Sequence, residues 1–338
     1  MRAVRLHGLR DVRLDQIGAP PAPGPDEATV APLWCGMCGT DLKAYVDPQV
    51  TLGGATLPLI LGHEFSARVV AVGAQVQSAQ PGDEVAVMPL RHCGACGVCR
   101  RGEFSLCPNK RWTGLGAQWG GLADYALVAS YQLSPLAGIA ADTGALVEPA
   151  AVAMNAVQRA GVQPGDAILV MGCGPIGAFV ILGGMVAGAA SVLAVEPNDG
   201  RADRAGALGA EVRMSDQLAP GEVDVAFDCA GVGDSLARCV AAVRPGGTVC
   251  VPAVHRGSAP VDVRAVTRAN LSLVGSMGYT RSVWDRTLEL IRAGRLPVER
   301  VVTSCMAFAD LVDQGFAALA SPSNTELKVL VSMPAAAA

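Results

Sequence analysis

The chain has 338 residues, 51% hydrophobic and 17% charged, with a formal net charge of −4. That length suggests two domains with a sizeable core, and a mildly acidic balance with no basic block excludes nucleic acid as the expected partner. The N-terminal run MRAVRLHGLRDVRLDQ has no apolar h-region and does not read as a signal peptide. Eleven cysteines without such a signal point to a reducing compartment, and the expected location is the cytoplasm.

In chain order, the first 150 residues carry short β-like runs between turns: ARVVAVG at 67–73, DEVAVMP at 83–89 and ADYALVA at 123–129. Prolines at 20, 21, 23 and 25 predict an extended surface connection before them. From about 151 the rhythm becomes strand, helix, strand: AILVMG (167–172), a helical run to 188, SVLAVE (191–196), helix RADRAGALGA (201–210), VDVAFDCAG (223–231), GTVCVPA (247–253) and LSLVGSM (271–277). Residues 167–195 carry no charge, and by length alone they match a membrane span. Their glycines and the flanking strand–helix units predict a buried strand, a tight turn and a buried helix instead. The expected class is α/β, with a doubly wound parallel sheet over 151–285. Isolated elements from 286 to 338 are expected to fold back onto residues 1–150 as one discontinuous, β-rich domain. The only low-complexity stretch is the Ala tail at 335–338.

Four cysteines, Cys93, Cys96, Cys99 and Cys107, follow the spacing C-x2-C-x2-C-x7-C. Four thiolates at that spacing suit a closed, structural zinc site. Disulfides fit poorly with an odd total of cysteines and no secretory signal. With four protein sulfurs there is no open coordination position, so this site is not expected to be catalytic.

The run Gly172-Cys173-Gly174-Pro175-Ile176-Gly177 is a G-x-G-x-x-G between a predicted strand and a predicted helix. In that context the first glycine makes the turn, the second admits a pyrophosphate and the third packs helix on strand. Glu196 follows Gly177 by 19 residues, at the end of the next strand. A carboxylate there accepts bonds from the adenosine ribose and repels a 2′-phosphate, so NAD is expected over NADP. Arg201 and Arg204 lie nearby and pull the other way.

Upstream stands a second constellation: Cys35, Cys38-Gly-Thr40-Asp41, Gly62-His63-Glu64 and Glu148-Pro149. Cysteine, histidine and carboxylate are all zinc ligands, and three of them with a water make an open catalytic sphere. Each residue alone also has a plain explanation as a core thiol, a buried histidine or half of an ion pair. With CGTD at 38–41, GHE at 62–64, the cysteine lobe, VEPAAVA at 147–153, GCGPIG at 172–177 and RPGGTV at 244–249, the chain resembles the zinc-containing medium-chain dehydrogenase/reductase family. VEPAAVA and GSMGYT (275–280) look most like its butanediol, sorbitol and threonine dehydrogenase branch.

The resemblance implies a Rossmann domain joined to a GroES-like catalytic domain, two zinc ions per chain, NAD, and a homodimer or homotetramer. It implies Cys38 and His63 as ligands of a catalytic zinc, Glu148 in place of a third thiolate, Glu64 as a carboxylate that enters or leaves the coordination sphere, and Thr40 as the start of a proton relay. It gives Cys35 no role. The implied reaction is hydride transfer from the carbinol carbon of a secondary alcohol, diol, polyol or sugar-like substrate to the nicotinamide, with the zinc as Lewis acid.

Two departures stand out. Where relatives often carry histidines, this chain has Lys43 and Asn155. Lys43 is one of only three lysines; a proton relay, an anion contact and a plain surface position are all open to it. An amino-alcohol dehydrogenase of the threonine type shares the same motifs, and a dinucleotide-binding protein without turnover is the alternative from another class. The substrate pocket is expected to involve the loops 45–58 and 112–120, with Trp112 and Trp119 lining it or packing beneath it. The apolar strand at 271–277 is expected to pair with its copy across a twofold axis.

Overall fold

The computed structural model describes residues 1–48, 55–255, 257–321 and 323–334. Residues 49–54 of the loop 45–58, residues 256 and 322, and the Ala tail at 335–338 lie outside them. The chain divides into two compact units, Met1–Glu148 with Val302–Ala338, and Pro149–Val301. The helix Arg281–Arg292 and the turn Val298–Val301 belong to the second unit. The expected boundary at 286 thus falls inside a helix whose buried face is Val283, Trp284, Thr287, Leu288 and Ile291. A helix buried along one stripe stays with the core that covers it.

The second unit is built on a six-stranded parallel sheet. In spatial order its strands are Glu211–Arg213, Ser191–Val195, Ala167–Met171, Val223–Asp228, Val243–Val251 and Ser272–Gly275. Numbered along the chain, that order is 3-2-1-4-5-6, the doubly wound arrangement. The uncharged stretch 167–195 resolves into strand Ala167–Met171, helix Pro175–Val186 and strand Ser191–Val195. Among the described residues no helix is long and apolar enough to cross a membrane. The helix Pro175–Val186 is buried from Gly177 to Gly184 because small residues let it lie close to its neighbours. A Cβ at Gly184 would stand 2.3 Å from Ile168 Cδ1. The strand Glu211–Arg213 was not foreseen: three residues reading Glu-Val-Arg carry no apolar run to announce it.

In the first unit a seven-stranded sheet runs Leu133–Pro135, Glu84–Val87, Glu64–Val72, Glu27–Gly36, Lys328–Ser332, Val302–Ala307, with Ala126–Ala129 also on Glu27–Gly36. A smaller sheet joins Asp11–Gln16, Arg2–Gly8 and Leu59–Ile60. The core between them gathers Leu6, Phe65, Trp119, Leu122, Phe308 and Phe316. Trp119 is therefore a packing residue, while Trp112 lies half-buried in a two-stranded ribbon with Leu90–Arg91.

The Gly172–Gly177 turn shows why each glycine stands where it does. Gly172 has φ +90, a Cβ at Gly174 would meet nothing within 4 Å, and one at Gly177 would lie 2.0 Å from Gly172 O. Gly177→Ala is expected to overpack this turn and lower stability by about 1–3 kcal/mol, read as a reduced urea midpoint with an unchanged m-value.

Candidate active site and metal centres

The upstream constellation is assembled by strand pairing in the first unit. Gly36 pairs with Glu64, and Cys35 and Gly36 pair on their other side with Val331 and Leu330. A Cβ on Gly36 would fall 2.3 Å from Glu64 Oε2, so glycine there is what leaves room for the carboxylate. Gly62, with φ +91, turns the chain into His63 and Glu64. A Cβ at Gly62 would strike Cys35 Sγ at 2.7 Å and the Leu122 backbone N at 2.9 Å. Cys35 is thus a packing thiol. Burial, with Asp41 and Glu64 nearby, pushes its pKa well above the usual thiol value, and the converging group is Cys38, His63 and Glu64 without it.

Cys38 caps the helix Gly39–Val46. Its Sγ accepts the Thr40 N–H at 3.4 Å, and its own N–H donates to Asp41 Oδ2 at 3.1 Å. Ligand atoms of Cys38, His63 and Glu64 all lie within 4.8 Å of one another. Asp41 is fully buried, with Oδ1 3.5 Å from His63 Nδ1. A carboxylate behind the ring is the kind of second partner that metal-binding histidines have. Burial opposes a charge on His63, but Asp41 and Cys38 outweigh it and raise the ring's pKa well above its ordinary value. A divalent cation at these atoms would displace that proton. One thiolate, one imidazole and one carboxylate are a donor set that fits zinc with an open position.

Glu148, in the first turn of the helix Val147–Ala160, is 5% exposed and lies outside the Cys38–His63–Glu64 group. In the metal-free protein Glu64 is the carboxylate that lies with Cys38 and His63, as the resemblance allows for a carboxylate that enters or leaves the coordination sphere. The reason is a residue that pattern reading counted but did not place. Lys328, fully buried, donates from Nζ to Glu64 Oε1 at 2.9 Å, to Glu64 Oε2 at 2.7 Å and to the Met37 carbonyl at 3.1 Å. Burial works against its charge, yet Glu64 first, then Cys38 and Glu148, raise the Lys328 pKa above the ordinary lysine value. Signals existed in the sequence: lysines are scarce in this chain, and this one opens the apolar strand KVLVS.

Thr40 sits half-buried beside Cys38. Lys43 is exposed on the same helix and so lacks the burial on which a relay role depends. Asn155 is buried and donates from Nδ2 to Ser276 Oγ at 2.9 Å, a structural tie within the second unit.

The cysteine lobe comes together as spaced. Sγ separations are 3.9 Å for Cys93–Cys99, 3.9 Å for Cys96–Cys107 and 3.6 Å for Cys93–Cys107. Four sulfurs at ~2.3 Å from one zinc stand about 3.8 Å apart, so the cluster already has the size of a tetrahedral site. All eleven cysteines are free thiols. The N–H groups of Ala95 and Cys96 lower the Cys93 pKa to about 6, while burial pushes the Cys99 thiol up to about 12.

In the second unit, Glu196 is buried at the end of its strand, and both oxygens accept backbone N–H groups: Oε2 from Cys173 at 2.8 Å and Oε1 from Asn198 at 3.0 Å. Pro175 opens the helix at its first position, with Ile176 half-buried after it. Asn198 caps the next helix, its Oδ1 accepting the Arg201 N–H at 3.1 Å.

Residues 24–138 match the alcohol dehydrogenase GroES-like domain, and residues 175–293 match the zinc-binding dehydrogenase family. (R,R)-butanediol dehydrogenase of Bacillus subtilis (strain 168) is 32% identical over 98% of this chain and 99% of its own length. Sorbitol dehydrogenase of Arabidopsis thaliana is 28% identical over 93% and 90%. A solved Sinorhizobium meliloti 1021 protein bound to NADP is 28% identical, with a TM-score of 0.88 over 98% of each chain. The chain belongs to the zinc-binding medium-chain alcohol dehydrogenases. It is an enzyme that acts on CH–OH donors.

Lys328→Met leaves the Glu64 carboxylate buried without a partner. It is expected to cost about 3–5 kcal/mol in urea denaturation of the metal-free protein.

Proposed function

We propose that this enzyme binds two zinc ions per chain and oxidises a secondary alcohol, diol or polyol with NAD. The observation that carries this reading is the convergence of Cys38, His63 and Glu64 ligand atoms within 4.8 Å, with Asp41 behind the imidazole. Zinc at this site supplies Lewis acidity to the substrate oxygen. The nicotinamide supplies the hydride acceptor. The names of the butanediol and sorbitol relatives support the substrate class.

The chain's own residues divide the remaining work. Cys38 would hold the ion from a helix N-terminus, where its Sγ accepts the Thr40 amide. His63 would hold it through the imidazole, with Asp41 behind the ring. Glu64, paired with Lys328 through both oxygens, would be the carboxylate that approaches or leaves, while Glu148 is the second carboxylate within electrostatic reach of that lysine. The Thr40 hydroxyl takes the proton from the substrate hydroxyl and passes it outward. Neither Lys43 nor Asn155 takes part in this route. Cys93, Cys96, Cys99 and Cys107 hold the second, structural ion. Removal of metal by a chelator, or Cys38→Ala, is expected to abolish NADH production on a panel of diols, polyols and secondary alcohols. Metal analysis should return two zinc per chain in the native protein and one in Cys38→Ala. A fully active Cys38→Ala enzyme would sink the assignment.

For the cofactor, Gly174 leaves the space for the pyrophosphate and Glu196 faces the adenosine ribose. Two backbone donors fix the Glu196 carboxylate in place, where a 2′-phosphate would meet a negative charge that cannot withdraw. NAD is expected to exceed NADP by about tenfold or more in kcat/KM, ~1.4 kcal/mol of discrimination, and Glu196→Ala should narrow that gap.

The chain is also proposed to act as a homodimer or a pair of dimers. Ser272–Gly275 is an edge strand paired on one side only among the described residues, and Leu273 and Met277 beside it are 44% and 49% exposed. An apolar edge of this kind invites pairing with a copy. Light scattering should give a dimer or tetramer mass, and a charge at Leu273 should shift it toward monomer.

A further inference from the structure

One buried carboxylate has no part in the route above. Asp228 ends the strand Val223–Asp228 with no solvent exposure. Its Oδ1 accepts the N–H groups of Ala230 at 3.2 Å and Gly231 at 2.9 Å. Its Oδ2 accepts the Ser235 hydroxyl at 3.0 Å and faces His255 Nε2 at 2.9 Å. Every contact asks the carboxylate to accept. Nε2 therefore carries a proton toward Asp228, and Nδ1 is the ring nitrogen left for another partner. Among the described residues Nδ1 has no hydrogen-bond partner. The Cδ2 edge of the ring lies against Gly231, where a Cβ would come within 3.6 Å of it. The side chain is 16% exposed.

The position of this pair in the sheet gives it a ligand. Ala167–Met171 has Ser191–Val195 on one side and Val223–Asp228 on the other, so the strand order reverses beside it. A dinucleotide lies across the carboxyl ends of the strands at such a reversal. Glu196 ends Ser191–Val195 and takes the adenosine side. The second nucleoside then falls on the side of Val223–Asp228 and Val243–Val251. His255 comes four residues after the second of these strands. The turn that Asp228 holds is also fitted to the glycine loop, since a Cβ at Gly172 would stand 2.8 Å from Ala230 Cβ.

We infer that His255 is a cofactor-positioning residue whose Nδ1 hydrogen-bonds a hydroxyl of the nicotinamide-side ribose, with Asp228 fixing the ring. The inference rests on the dinucleotide reading above. A ribose hydroxyl both donates and accepts, so it can pair with Nδ1 whether or not that nitrogen carries a proton.

The test is calorimetric titration of the purified zinc-replete enzyme with NADH, ADP-ribose, ADP and AMP. ADP-ribose carries the second ribose; ADP and AMP do not. His255→Ala is expected to weaken NADH and ADP-ribose about tenfold, ~1.4 kcal/mol, while ADP and AMP bind as in the parent. His255→Asn, which keeps an acceptor oxygen on a shorter arm, is expected to recover part of the loss. Unchanged ADP-ribose affinity in His255→Ala overturns the inference. So does a loss shared by all four ligands, which would mark a purely structural ring. A parent enzyme that binds none of the four overturns the dinucleotide reading itself.

Discussion

A carboxylate shut away from water must be matched by charge or hydrogen bonds, and in the first unit that demand is met from the far end of the chain. Glu64 and Lys328 are separated by 264 positions, yet both are essentially without solvent exposure and in direct contact. Leaving either alone in that interior would cost several kcal/mol. The C-terminal strand therefore has to lie on Glu27–Gly36, because only that register carries Lys328 to Glu64. The discontinuity of the unit follows from the same requirement. So does the glycine at position 36, which clears the volume the carboxylate fills.

The two metal-binding groups show how differently one residue type is used. In the lobe, four sulfurs are spaced at the edge length of a zinc tetrahedron by a segment of 15 residues, Cys93 to Cys107. Local chain geometry is sufficient, so regular spacing announces it. The Cys38 cluster draws its members from a helix cap, from a glycine turn and from a strand start. Each is placed by long-range pairing, and the supporting Asp41 and Lys328 are placed the same way. Cys35 is as close in sequence to Cys38 as Cys93 is to Cys96, but it packs against Gly62 and stands outside the converging group.

This contrast also explains what could be read beforehand. The parallel sheet was legible because its main strands are short apolar runs bounded by turns, and the glycine turn because its spacing reflects three separate steric needs. The strand Glu211–Arg213 was not, since an exposed edge strand of charged residues carries no apolar signature. The helix Arg281–Arg292 was assigned across a boundary because its stripe tells that it is buried, not against which core. In the site, Cys38, His63 and Glu64 stood out by motif. Lys328 did not, because a lone lysine in a strand looks the same whether it faces solvent or a buried acid. Lys43, which sat in the motif, proved to be at the surface.

The tie between Glu64 and Lys328 has a further consequence for biosynthesis. The second unit, Pro149–Val301, is continuous in the chain and has all of its strands before Val302 is made. The first unit begins earlier but cannot close until the last strand leaves the ribosome. At about 5–20 residues per second the wait from Glu64 to Lys328 is on the order of tens of seconds. Throughout it, Glu64 and the sheet edge that Lys328–Ser332 will cover have no internal partner. The nascent first unit is accordingly the part of this enzyme that most needs chaperone cover, and loss of the strand Lys328–Ser332 should be far more damaging than its short length suggests.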